Sequence, residues 1–264
     1  LKTAADLNRL KPLKFDWVKE DAKKVLDIFN QKKPVCFTRA ADAELFILNG
    51  RRRNNPHTGK QNISSSFVLK LAESLRDADI IGLPRDYINA RHIYDWDLEI
   101  IKACKKLNIS VDDDPNRIVS TWICYHIPEL LSSLVNGKTV LWINYNAHMF
   151  AQLLESEKYC TFYGLENIKS LHIDIPDGKG GWIFKNSMNG IVKSVCEKVD
   201  TMPDFDIAII GAGAMANLIA MYIRDVVKKP VADVGAVLSA MRGQRNRGCF
   251  KKNGKDEYLV WEKK

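Results

Sequence analysis

Short runs of β-branched and apolar residues alternate with longer amphipathic stretches along most of the chain, and this alternation leaves few folds open. Strands are predicted at 34–38, 80–83, 117–122, 139–143, 171–175, 206–210 and 231–234. Helices are predicted between them. Residues 21–30 place Val25, Leu26 and Phe29 on one face, residues 42–48 stop at Gly50, and residues 66–77 repeat Phe67, Leu71 and Leu75 at helical spacing. Further helices are predicted at 98–107, 127–134, 147–155, 188–199 and 214–227. Continuous apolar strands joined by crossover helices require a sheet buried on both faces. The expected fold is therefore a single Rossmann-like α/β domain over residues 1–264, its sheet mostly parallel and flanked by helices on both sides. Right-handed crossovers place the strand C-termini along one edge, where open α/β sheets bind ligands, so residues just after strands are the first to search.

Composition removes other classes. With 46% hydrophobic and 27% charged residues, the chain is neither disordered nor collagen-like. No apolar run reaches the roughly 20 residues of a membrane span, and Leu1–Leu10 is too mixed and charged for a signal peptide. The six cysteines (36, 104, 124, 160, 196 and 249) form no C-x-x-C pair and have no histidine at zinc-finger spacing, which suits free thiols in a reducing compartment and a cytoplasmic chain. The net charge is +8, of which the tail 242–264 supplies +5, and a second basic cluster spans Arg51–Arg53 and Lys60. Such patches suit phosphates or an anionic membrane surface, or serve as a solvated face.

Four segments after or beside strands carry chemistry. In T38-R-A-A-D-A-E-L-F-I-L-N-G50, Asp42 and Glu44 stand at a strand-to-helix junction, where helix-entry backbone lets two carboxylates converge on one divalent cation. Mg²⁺ or Mn²⁺ takes one or two carboxylates plus substrate phosphates, and Arg39 would meet the same phosphates. The structural alternative makes Asp42 an N-cap and Glu44 a first-turn acid. In D206-I-A-I-I-G-A-G-A-M-A216 a strand, a small-residue turn bearing Gly211 and Gly213, and a helix form the shape of an anion site. Asp233 follows Gly213 by twenty residues, as in a dinucleotide fingerprint, although too little chain remains for a full dinucleotide domain. In A78-D-I-I-G-L-P-R-D-Y87, Asp79 or Asp86 would serve as a general base and Arg85 as a phosphate ligand, or the segment forms a salt-bridged loop. In I143-N-Y-N-A-H-M149, Asn144, Asn146 and His148 would hydrogen-bond a base, ribose or sugar, or Asn146 caps the next helix.

The string F37-T-R-A-A-D-A-E-L-F-I-L-N-G50 resembles the R-x-G-D-G-E-hydrophobic-G signature of the GT-D fold glycosyltransferases. D79-I-I-G-L-P resembles that family's acid-then-G-L-P strand, and I207-A-I-I-G-A-G-A with V231-A-D-V-G-A-V-L resembles its C-terminal strand, turn and D-I-G segment. The family's glycines flanking the aspartate are Ala41 and Ala43 here. The resemblance implies a hexosyl- or pentosyltransferase that moves a sugar from a nucleotide diphosphate sugar, a UDP-sugar above all, to a hydroxyl of a glycan or glycoconjugate. It implies Mn²⁺ or Mg²⁺ on Asp42 and Glu44, Asp233 at the edge of the site, and Asp79 or Asp86 as the base of an inverting reaction. An NAD(P)-dependent oxidoreductase using Gly211–Ala216 is the alternative enzyme. A binder acting through the basic tail is the alternative without catalysis. That tail interleaves few aromatics, so no nucleic-acid partner is expected, while peripheral membrane contact is.

Overall fold

The computed structural model describes residues 15–31, 33–50, 63–84, 96–111, 114, 116–121, 123–126, 128–175, 187–241, 250–252 and 255–257. In chain order its elements are α1 Phe15–Phe29, β1 Cys36–Arg39, α2 Asp42–Leu48, α3 Ser65–Asp77, β2 Ile80–Leu83, α4 Trp96–Lys106 and β3 Ile118–Ser120. Two short helices follow, α5 Ile123–His126 and α6 Pro128–Val135, then β4 Thr139–Asn144, α7 Ala147–Leu153, α8 Glu157–Tyr163 and β5 Lys169–Asp174. The chain continues through α9 Met188–Asp200, β6 Ile207–Gly211, α10 Met215–Tyr222, β7 Val231–Asp233 and α11 Val237–Met241. A small hairpin, β8 Phe250–Lys252 and β9 Lys255–Glu257, lies within the tail.

The seven long-range strands form one sheet in the order β3-β2-β1-β7-β6-β4-β5, and every pairing in it is parallel. Strand residues alternate between two cores, because successive side chains point to opposite faces. Cys36, Ile81, Leu141, Ile143, Ala208 and Ile210 pack under α2, α3, α4, α9 and α10. Phe37, Ile80, Val140, Trp142, Ile207 and Ile209 pack under α1, α5, α6, α7, α8 and α11. Both faces being covered explains why the strands read as unbroken apolar runs rather than as alternation.

Local chemistry sets several boundaries. Ser64 and Ser187 accept the Phe67 and Gly190 amides at the starts of α3 and α9. The predicted helix over 214–227 is α-helical only to Tyr222, then widens into a π turn, Ile223–Val227, that ends at Lys228 with φ +62. The short α5, α8 and α11 and the tail hairpin fall where the sequence pattern predicts no element. Each holds seven residues or fewer, about two turns at most, so periodicity gives little signal. The polar segments 52–65 and 177–186 lie outside the described residues except at 63–65. No helix among the described residues is long and apolar enough to cross a membrane.

Trp142 is the largest fully buried side chain. Its ring lies 4.5 Å from that of Phe150, and its indole nitrogen donates to Ser170 Oγ at 3.2 Å. Trp142→Ala is expected to cost about 3–5 kcal/mol, measured by urea unfolding as a lower midpoint with an unchanged slope.

Candidate active site

The C-terminal edge of the sheet gathers most of the sequence candidates. Register aligns Arg39 with Gly82, Ile210 with Asp233, and Asn144 with both Gly211 and Asp174. Arg39 leaves β1 and turns sideways across this edge. Its Nη1 donates to the Thr121 carbonyl after β3 at 2.7 Å, and its Nε lies 3.6 Å from the Asp233 carboxylate at the end of β7. Asn217 on α10 holds the Arg39 carbonyl through its Nδ2 at 3.1 Å. Asp233 also accepts the Gly235 amide at 2.8 Å. Burial raises the Asp233 carboxyl above its ordinary value, against the pull of Arg39 and of the Gly235 amide.

Glycines make room for this crossing. Gly235 has φ +54, and a Cβ there would overlap the Arg39 guanidinium. A Cβ on Gly211 would stand 2.7 Å from the Gly235 carbonyl. The small residues of the 211–216 turn therefore seat β6 against the turn that follows β7. Only above Gly213, φ +56, is the space open where a Cβ would stand.

Arg39 is thus a brace, with side-chain exposure of 13%. The sequence expectation gave it to substrate phosphates, but its guanidinium is engaged inside the protein. A guanidinium this deep must find partners within the protein, because a buried charge left unpaired is strongly destabilising.

The Asp42–Glu44 pair opens α2 directly after β1. Ala41, not Asp42, is the N-cap residue, and Glu44 reaches back so that its Oε2 accepts the Ala41 amide at 2.7 Å. Glu44 is buried, and this raises its carboxyl to about 7 against the pull of the Ala41 and Glu44 amides, while the negative charges of Asp42 and Asp233 raise it further. Three carboxylates therefore sense one another at the end of β1 and β7, and Arg39 is the cation that faces Asp233. Ala41 adopts φ −142, outside the left-handed region that favours glycine, at a position where the family signature has glycine. Among the described residues no group of three His, Cys, Asp or Glu side chains surrounds a common point. Two hard carboxylates with surplus negative charge beside them still fit a cation that draws its other ligands from substrate phosphates.

The other candidates divide. Asp79 precedes β2 and so stands at the N-terminal edge, about 13 Å along the strands from the site. There it accepts the Cys36 amide at 2.9 Å and pairs with Arg224 at 3.3 Å. It pins the starts of β1 and β2 together, and the expectation that it is a base is corrected accordingly. Arg85 and Asp86 lie outside the described residues, as do Arg51–Arg53 and Lys60. Asn144 does reach the ligand edge. It is 2% exposed, and its Nδ2 has no hydrogen-bond partner. Asn146 is the N-cap residue of α7 by position, but its φ is +59 and its side chain makes no capping bond. His148 Nδ1 stands 2.6 Å from Asp174 Oδ2. Asp174, Asn217 and Thr121 are site-edge residues that the sequence reading missed. Asp174 had a legible signal, an acid closing a predicted strand just before Ile175 and Pro176, whereas the other two are recognisable only once the sheet order is known.

Arg39→Met is expected to cost about 3–5 kcal/mol, because it strands the Asp233 charge in the interior. The deficit should narrow on acidification, since the folded state then takes up a proton on Asp233 before the unfolded state does. Urea unfolding at a series of pH values reads both effects. Asp79→Asn should also lower stability, by about 1–3 kcal/mol, without changing ligand affinity.

Several solved structures share this fold. One is a selenomethionine-substituted structure of domain of unknown function 1792, 14% identical, with a TM-score of 0.54 over 84% of this chain and 78% of that one. A second, reported as showing that this highly conserved domain has a distinct glycosyltransferase fold, is 13% identical with the same TM-score and coverage. A third, described as a new glycosyltransferase from Streptococcus sanguinis, is 14% identical with a TM-score of 0.50 over 84% of this chain and 81% of that one. No curated protein matches the sequence. The family model for the GT-D fold-like domain matches residues 18–241, which hold the whole seven-stranded sheet and the Asp42–Glu44 junction, and the chain belongs to that family.

Proposed function

We propose that the chain is a glycosyltransferase that moves a sugar from a nucleotide diphosphate sugar, in the first instance a UDP-sugar, to a hydroxyl of a glycan or glycoconjugate. The observation that carries this reading is the placement of Asp42 and Glu44 where the inner strand β1 meets α2, in a chain of the GT-D fold-like family. Asp42 and Glu44 would hold Mn²⁺ or Mg²⁺, which when bound offsets the charge that develops on a leaving diphosphate. The remaining work falls to the protein. Glu44 is fixed in place by the Ala41 amide, so its carboxylate needs little reorganisation to meet a ligand. Arg39 and Asp233 hold the ends of β1 and β7 in register beneath it. Asn144 offers a buried amide donor at the same edge for a polar group of the substrate. The basic tail would bring the enzyme to an anionic membrane surface bearing a lipid-linked acceptor.

The test is thermal unfolding with UDP, GDP, NAD and NADP, each with and without Mn²⁺. A ligand at a hundredfold excess over its Kd stabilises by about 2.7 kcal/mol. The expected result is a shift that needs both UDP and Mn²⁺ and is lost in Asp42→Asn. Glu44→Gln should also lose it while keeping its fold, because glutamine still accepts the Ala41 amide. A shift with NAD or NADP alone, indifferent to metal and to Asp42, would overturn the reading in favour of an oxidoreductase.

A further inference from the structure

Asp79 stands at the far edge of the sheet and Asp86 lies outside the described residues, while the ends of β4 and β5 bring a further candidate base to the ligand edge. Asp174 closes β5, in register with Asn144 at the end of β4, and the Ile175 amide bonds the Asn144 carbonyl at 3.1 Å. The chain leaves β4 through Asn146 in the left-handed region and enters α7 at once. This reversal lays the first turn of α7 over Asp174. Asp174 Oδ1 accepts the His148 amide at 3.1 Å, and Oδ2 meets His148 Nδ1 at 2.6 Å.

Partial burial would raise the Asp174 carboxyl, but the hydrogen bonds from the His148 amide and ring and from the Ala147 amide outweigh it and hold it below its ordinary value. An ionised carboxylate only accepts, so Nδ1 carries a proton, and in the neutral ring the lone pair lies on Nε2. The imidazole is oriented by a carboxylate, as in sites where histidine moves a proton. It also remains reachable: the side chains of His148 and Asp174 are 48% and 43% exposed, and Met149 beside them is one of the few large apolar residues at the surface among the described residues. β5 is the edge strand, so a bulky acceptor can approach from that side. Along the sheet, β4 lies three strand spacings, about 14 Å, from β1, with α2 and α7 packed on opposite faces.

We infer that His148 is the general base for the acceptor hydroxyl and that Asp174 is the residue that positions it. The inference rests on the glycosyltransferase reading above. The acceptor oxygen bonds to the anomeric carbon while its proton passes to Nε2 of neutral His148. The bond from that carbon to the diphosphate oxygen breaks, and its electron pair leaves on the diphosphate, so configuration inverts. On the elements packed here, β4 brings the neutral Asn144, while β5 brings Asp174 and, two residues earlier on the same face, His172.

The experiment measures UDP release from UDP-glucose, UDP-galactose and UDP-N-acetylglucosamine with Mn²⁺ and water as acceptor, across pH, for the wild type, H148Q and D174N. UDP affinity is measured in parallel by calorimetry. H148Q should lower turnover about 100-fold and abolish the acid limb of the pH profile, with UDP affinity unchanged. D174N should lower turnover at least about tenfold and displace that limb, since it disturbs the tautomer. Nitrogen NMR of the wild-type imidazole should show the proton on Nδ1. H148Q turnover within about threefold of wild type, or a proton on Nε2, would overturn the assignment. Failure of the wild type to bind UDP would instead overturn the transferase reading on which it rests.

Discussion

The Arg39–Asp233 pair is the interaction on which the ligand edge depends. It joins the ends of β1 and β7, and through the Thr121 carbonyl it reaches the end of β3, so one side chain bridges strands on both sides of β1. A buried ion pair is a weak source of net stability, because desolvating two charges offsets much of their attraction. What it supplies here is geometry. Gly82 leaves room for the Arg39 stem, since a Cβ there would stand 3.0 Å from Arg39 Cγ, and Gly235 leaves space for the guanidinium itself. The glycines, the arginine and the aspartate form one unit, and Asp42 and Glu44 stand immediately beyond it on the strand that it fixes.

That dependence explains why residues at one edge read differently in sequence and in structure. Arg39 stands one turn from a carboxylate pair and looks like a phosphate ligand. Its real partners, Thr121 and Asp233, are far along the chain and meet it only because β7 inserts beside β1. Asp79 looks like a base because it borders a strand, but it borders the strand's start. The strand bounds 80–83 already imply this, since the ligand edge of a parallel sheet lies at strand ends. By contrast, the glycine-rich turn after β6 offered a dinucleotide reading, but Gly211 serves close packing against the Gly235 carbonyl, while Gly213 supplies a left-handed turn.

The fold itself was legible because its signal is repeated. Seven apolar runs with amphipathic spacers over-determine a parallel sheet, and helix α2 matches the predicted 42–48 while β2 matches the predicted 80–83. Short elements escaped for the same reason in reverse: α5 has four residues and α11 has five, too few to show a helical period. Strand order escaped as well. Nothing in the local pattern states that β7 lies between β1 and β6, and this order decides which residues share the site.

The edge is also graded in exposure, and the gradient follows the chemistry that each part would do. Over β1 and β7 the charges are sequestered: Glu44 is 6% exposed and the Asp233 side chain 4%. Carboxylates hold a divalent cation most strongly where water is excluded, and a cation held there would offset the charge of a diphosphate. Over β4 and β5 the His148–Asp174 pair is about half exposed. A base that must meet the hydroxyl of a large acceptor gains nothing from burial, because burial would bar the acceptor. A parallel sheet reconciles the two demands: its centre is covered by helices on both faces, while its last strand has a neighbour on one side only.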